Sequence, residues 1–119
     1  MEITRHSIYQ TDGFRYGHLT TNSSYPFLTH SHEFYELILI INGSGFYTAD
    51  GRQYPLKKNT LIITHPGTVH RMDYTSDEPH ERHVIQYNPQ LLLPEIYNAI
   101  PKRLDILYLD NNNTIFNCI

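Results

Sequence analysis

Tryptophan is absent from this 119-residue chain, and cysteine occurs once, as Cys118. One thiol closes no internal disulfide, so a framework stapled from within, as in small secreted domains, is excluded. Long apolar runs are lacking too. The longest, Leu37-Ile38-Leu39-Ile40-Ile41, is far shorter than the ~20 residues of a membrane-spanning helix. No basic block exists either: 9 Lys and Arg stand against 12 Asp and Glu, a net charge of −3. That balance gives these residues no electrostatic grip on nucleic acid. Met1–His6 leads into no apolar core of the signal-peptide kind. The expectation is a cytoplasmic protein with no membrane partner.

What is present is aromatic and imidazole-rich: 10 Tyr, 5 Phe and 8 His. Rings of this kind pack cores more often than they line cavities. The length suits one domain with a core of its own.

Strand signals prevail up to residue 88. Ile3–Tyr9 and Phe14–Thr20 read as early strands around an Asp12-Gly13 turn. Tyr35–Ile41 is apolar at nearly every position, as in a strand covered on both faces. Asn42-Gly43-Ser44-Gly45 breaks it, and Asp50-Gly51 is a hairpin turn whose two central residues favour positive φ. Further strands are predicted at Thr60–Thr64, His70–Tyr74 and Arg82–Tyr87. Short strands at this spacing suggest a sandwich or small barrel. After Asn88-Pro89 the pattern turns helical, with Pro94 suited to a first turn and Pro101 ending the helix. The tail closes on Ile115-Phe116-Asn117-Cys118-Ile119, and such an apolar close leads us to expect more polypeptide after it.

Chemistry concentrates in His30-Ser31-His32-Glu33-Phe34-Tyr35-Glu36. Successive strand side chains alternate faces, so His30, His32 and Glu36 share one. His70 lies beyond the turn at Pro66-Gly67, and Met72 shares its parity. Imidazole and carboxylate are ligands for zinc, nickel, manganese or iron, so His30, His32, Glu36 and His70 form a conditional metal set. They equally make a polar pocket in which the histidines are charge partners for a buried Glu36. The other histidines carry less. His6 and His18 are expected at the surface, His65 facing elsewhere, and His80-Glu81-Arg82-His83 as an exposed charged edge. Cys118 reads as a small hydrophobe.

The chain resembles the cupins. Their first motif is matched by His30, His32, Glu36 and Gly43, with Ser24 in place of the leading glycine. Their second is matched by Pro66, Gly67 and His70, with Asn59-Thr60 in place of Gly-Asp. More narrowly, His30–Tyr87 resembles the amino-terminal ligand-sensing domain of AraC-type transcription regulators. The resemblance implies a mainly β fold, a double-stranded β-helix or jelly-roll barrel over residues 1–88. Residues 89–119 would then begin a helical dimerisation segment, and a DNA-binding helix-turn-helix domain would follow residue 119. It implies a small, sugar-like effector held by His30, His32, Glu36, His70 and Met72, no catalytic residues and no required cofactor. DNA would be contacted only through the further domain, by a homodimer. The alternative is a free-standing metal-dependent cupin enzyme, an isomerase or oxygenase.

Overall fold

The structure is a computed structural model that describes residues 3–21, 33–75, 77–91, 93–99, 105–109 and 114–118. The strands are β1 (Ile3–Thr11), β2 (Phe14–Thr21), β3 (Tyr35–Asn42), β4 (Gly45–Ala49) and β5 (Arg52–Leu56). They continue as β6 (Thr60–Thr64), β7 (His70–Tyr74), β8 (His80–Tyr87), β9 (Asp105–Leu109) and β10 (Thr114–Cys118). A 3₁₀ turn at Pro89–Leu91 and the helix α1 (Pro94–Ala99) separate β8 from β9. One antiparallel sheet has the order β1-β2-β8-β3-β6-β9-β10, the other β5-β4-β7.

The alternation of side chains dictates how the two sheets meet. Ile38 and Ile40 of β3, Ile62 of β6 and Ile106 of β9 point from the large sheet into a shared core. Tyr47 and Ala49 of β4, Leu56 of β5 and Tyr74 of β7 meet them from the small one. Each such aliphatic side chain removed from water contributes about 1.5–3 kcal/mol. The Tyr47 hydroxyl reaches Thr64 Oγ1 across the gap at 2.9 Å, which satisfies the polar end of a ring that is otherwise fully buried.

Turn chemistry holds the register. Asp50 and Gly51 both have positive φ, 52° and 76°, as the tight hairpin between β4 and β5 requires. Pro55 is tolerated in β5 because that strand lies at the edge of its sheet. Gly45 has a different reason to be glycine: a Cβ there would run into the carbonyl oxygen of Asp73 on the paired strand β7.

Three expectations change. The run Tyr35–Ile41 is not equally covered on both faces: Ile38 and Ile40 are buried, whereas Leu37, Leu39 and Ile41 are half-buried. Among the described residues after 88, α-helix occupies only Pro94–Ala99. Beyond it, β9 pairs with β6, and β10 with β9. The pairing Ile62↔Ile106 places a fully buried isoleucine from the tail in the core. Lastly, His80–His83 is no exposed edge, because β8 lies between β2 and β3. His80 and Arg82 point inward and are buried at 1% and 7% exposure, while Glu81 and His83 face out.

Candidate functional site

Between the sheets lies a cavity of about 190 Å³ lined by Leu19, Glu36, Ile38, His70, Met72, Arg82, Val84 and Gln86. Each lining residue is placed by strand parity. Glu36 and Ile38 come from β3, His70 and Met72 from β7, and Arg82, Val84 and Gln86 from β8. The larger openings found elsewhere on the molecule gather none of Glu36, His70 or Met72.

Glu36 is 6% exposed, and burial of a carboxylate demands partners. Gln86, directly opposite on β8, donates its side-chain amide to Glu36 Oε2 at 2.6 Å. On the other side, His70 Nε2 stands 3.7 Å from Glu36 Oε1, an ion pair whenever the imidazole is protonated. His70 Nδ1 lies 2.8 Å from the Thr68 carbonyl. A carbonyl only accepts, so the proton sits on Nδ1, and in the neutral ring Nε2 presents its lone pair toward Glu36. Tyr47 stacks on His70 with ring centroids 5.6 Å apart. Burial, with a smaller contribution from Glu36, pushes the Tyr47 phenol well above its ordinary pKa, against the hydrogen bond from Thr64. Tyr47 therefore stays neutral, a wall and not a proton carrier.

Arg82 enters from further along β8. Its Nη1 donates to Thr21 Oγ1 at 3.1 Å and to the His80 carbonyl at 3.3 Å. The guanidinium lies over the Tyr74 ring, 5.6 Å from the centroid, and Tyr74 stacks on His80 at 4.0 Å. Burial raises the Tyr74 pKa, while Arg82 pulls it the other way.

Of the five residues singled out in the sequence, the structure brings Glu36, His70 and Met72 to one cavity. His30 and His32 lie outside the described residues. Among the described residues, no group of three or more His, Cys, Asp or Glu is gathered closely enough to hold a metal. The donor chemistry of His70 and Glu36 nevertheless fits one: Nδ1–H on a backbone carbonyl with Nε2 turned inward is the arrangement of metal-ligating histidines. Sequence reading passed over Arg82 and Gln86. Their signal was parity with Val84 within β8, but the opposite face, Glu81-His83-Ile85-Tyr87, was equally plausible without knowledge of what packed where.

A match to the AraC-like ligand binding domain runs over residues 13–102, most of the chain. The chain belongs to this family. It is 32% identical over 69 residues to the uncharacterized HTH-type transcriptional regulator YfiF of Bacillus subtilis, covering 56% of this chain and 22% of that protein. The chain thus spans about a fifth of that relative's length. Its fold is similar to the cupin domain of Schizosaccharomyces pombe Cnp3, with a TM-score of 0.67 at 13% identity over 76% of this chain and 68% of that one. A cupin 2 conserved barrel protein of Salinispora arenicola gives a TM-score of 0.61 at 16% identity, over 81% of each chain. At these identities the likeness is one of fold. This AraC-like domain is therefore a mainly β cupin barrel of the ligand-binding kind, and no helix among its described residues is long and apolar enough to cross a membrane.

Proposed function

We propose that this domain is the effector-sensing part of a cytoplasmic AraC-type transcriptional regulator, and that it is not an enzyme. The observation that carries the reading is the inter-sheet cavity lined by the polar side chains of Glu36, His70, Arg82 and Gln86 and the apolar walls Leu19, Ile38, Met72 and Val84. A few polar groups that fix orientation, set in apolar surface, make a small-molecule site. Its 190 Å³ falls below the ~300–1,000 Å³ of drug-sized pockets, which suits a small, hydroxylated, sugar-like metabolite. Hydroxyls would donate to Glu36 and accept from Gln86.

DNA would be contacted by a helix-turn-helix domain elsewhere in a longer, homodimeric protein. The effector acts by binding one arrangement of the domains better than the other, since equal affinity for both shifts nothing. A divalent metal, where one is carried, would be held by His70 and Glu36 together with His30 and His32 of the motif, and would polarise a ligand oxygen.

Replacing Glu36 tests the reading. Glu36→Ala in the full-length regulator is expected to weaken the effector response while leaving DNA binding in place. An unchanged response, read by effector-dependent DNA binding, removes the cavity from the account.

A further inference from the structure

The sensor reading places a small polar molecule among Glu36, His70 and Gln86, and says nothing of charge at the other end of the cavity. Arg82 stands there at 7% exposure. Its partners are neutral: the Thr21 hydroxyl, the His80 carbonyl and the Tyr74 ring. Burial favours the neutral form of the Tyr74 phenol as well. Among the described residues no carboxylate lies within 4 Å of the guanidinium. Arginine stays charged at any physiological pH, so it cannot escape the cost of burial by losing its proton. A buried cation of this kind calls for an anion.

The carboxylate on the same cavity wall is not that anion. Arg82 is paired with Ile40 and Gln86 with Glu36 across β8 and β3. Four residues of strand therefore separate their backbone positions, about 13 Å at ~3.3 Å per residue, and no ion pair joins the two side chains. Glu36 is engaged by Gln86 at 2.6 Å and faces His70. The cavity thus has a cationic end at Arg82, an acceptor end at Glu36, and Leu19, Ile38, Met72 and Val84 between them.

We propose that the effector is a small organic anion whose carboxylate or phosphate group docks on Arg82 while a hydroxyl at its far end donates to Glu36. This inference rests on the sensor reading and narrows it from a neutral sugar-like molecule to a hydroxylated acid. The planar guanidinium fork matches both oxyanions, and its contact is charge-assisted. Thr21, His80 and Tyr74 fix the fork beforehand, so little side-chain freedom is lost on binding.

The test titrates acetate, inorganic phosphate, acetamide and glycerol into the 119-residue chain, following the Arg82 Nε–H and the Met72 and Val84 methyl resonances. Acetate or phosphate is expected to shift the Arg82 signal saturably, and acetamide is not. Arg82→Met should weaken that anion on the order of ten- to a hundredfold, the size of a lost charged hydrogen bond. The stronger of the two anions tells whether the natural group is a carboxylate or a phosphate ester. Equal shifts from acetate and acetamide, or no saturable shift from either anion, overturn the proposal. If Arg82→Met does not fold, the comparison of acetate with acetamide on the unaltered chain decides alone. Glycerol moving the Met72 and Val84 methyls equally in both proteins, with no anion effect, sinks the anion site yet leaves the sensor reading intact. Anion binding at Arg82 with no effect on DNA binding by the full-length regulator does the reverse.

Discussion

Gln86 and Glu36 face each other across β8 and β3, joined by an amide-to-carboxylate hydrogen bond of 2.6 Å. The bond ties a cavity-lining carboxylate to the sheet neighbour that neutral sequence reading would treat as an ordinary polar residue. It also sets Glu36 Oε1 toward His70, so the acceptor end of the cavity is oriented before any ligand arrives.

Gln86→Leu removes the donor while keeping much of the volume. A charged acceptor left short of one bond costs about 1–3 kcal/mol, so the urea midpoint should fall accordingly. An unchanged midpoint would show that Glu36 draws its stability elsewhere.

Gly45→Ala drives a methyl into the Asp73 carbonyl. Backbone has little room to give, so β4 and β7 must separate locally, at about 1–3 kcal/mol for overpacking. Gly51→Ala meets nothing within 4 Å, though its φ of 76° strains it. Amide hydrogen exchange distinguishes the two: faster exchange along β4 and β7 is expected for Gly45→Ala, with Gly51→Ala disturbing the hairpin turn alone.

On the outer face, His83 accepts from or donates to Tyr16 at 2.6 Å and stacks on His18 at 4.3 Å. Burial, then the nearby His18, lowers the His83 pKa, with Glu81 opposing. The folded protein therefore holds fewer protons than the unfolded chain in this range. Stability is fully present above the ordinary imidazole value of ~6.5 and falls as pH drops below it toward the lowered folded value. His83→Gln should flatten that part of the slope in denaturation curves taken between about pH 7 and 5. A slope as steep as before would assign the effect to other groups.

Chelation gives a direct reading on the metal. The unfolding midpoint is expected to be the same with and without EDTA, because Gln86 already engages Glu36. A fall restored by zinc, nickel, manganese or iron, and absent in His70→Ala, would instead place a metal at the acceptor end.

The sequence by itself determined the strands whose ends carry chemical punctuation. Asp12-Gly13 and Asp50-Gly51 each force the chain to reverse, and positive φ at Gly13, Asp50 and Gly51 shows it. The shared face of His70 with Met72 was equally legible because strand periodicity is local. Where β8 sits was not. Its two faces have similar polarity, and only pairing with β2 and β3 turned Arg82 and Gln86 inward and sent Glu81 and His83 out. The tail was illegible for the same reason. Asp105–Leu109 is too short to declare itself, and its strand form is fixed by β6 alongside it. Alternation within a strand is written in neighbouring residues, whereas the choice of inner face depends on partners distant in sequence, and only the assembled sheets supply them.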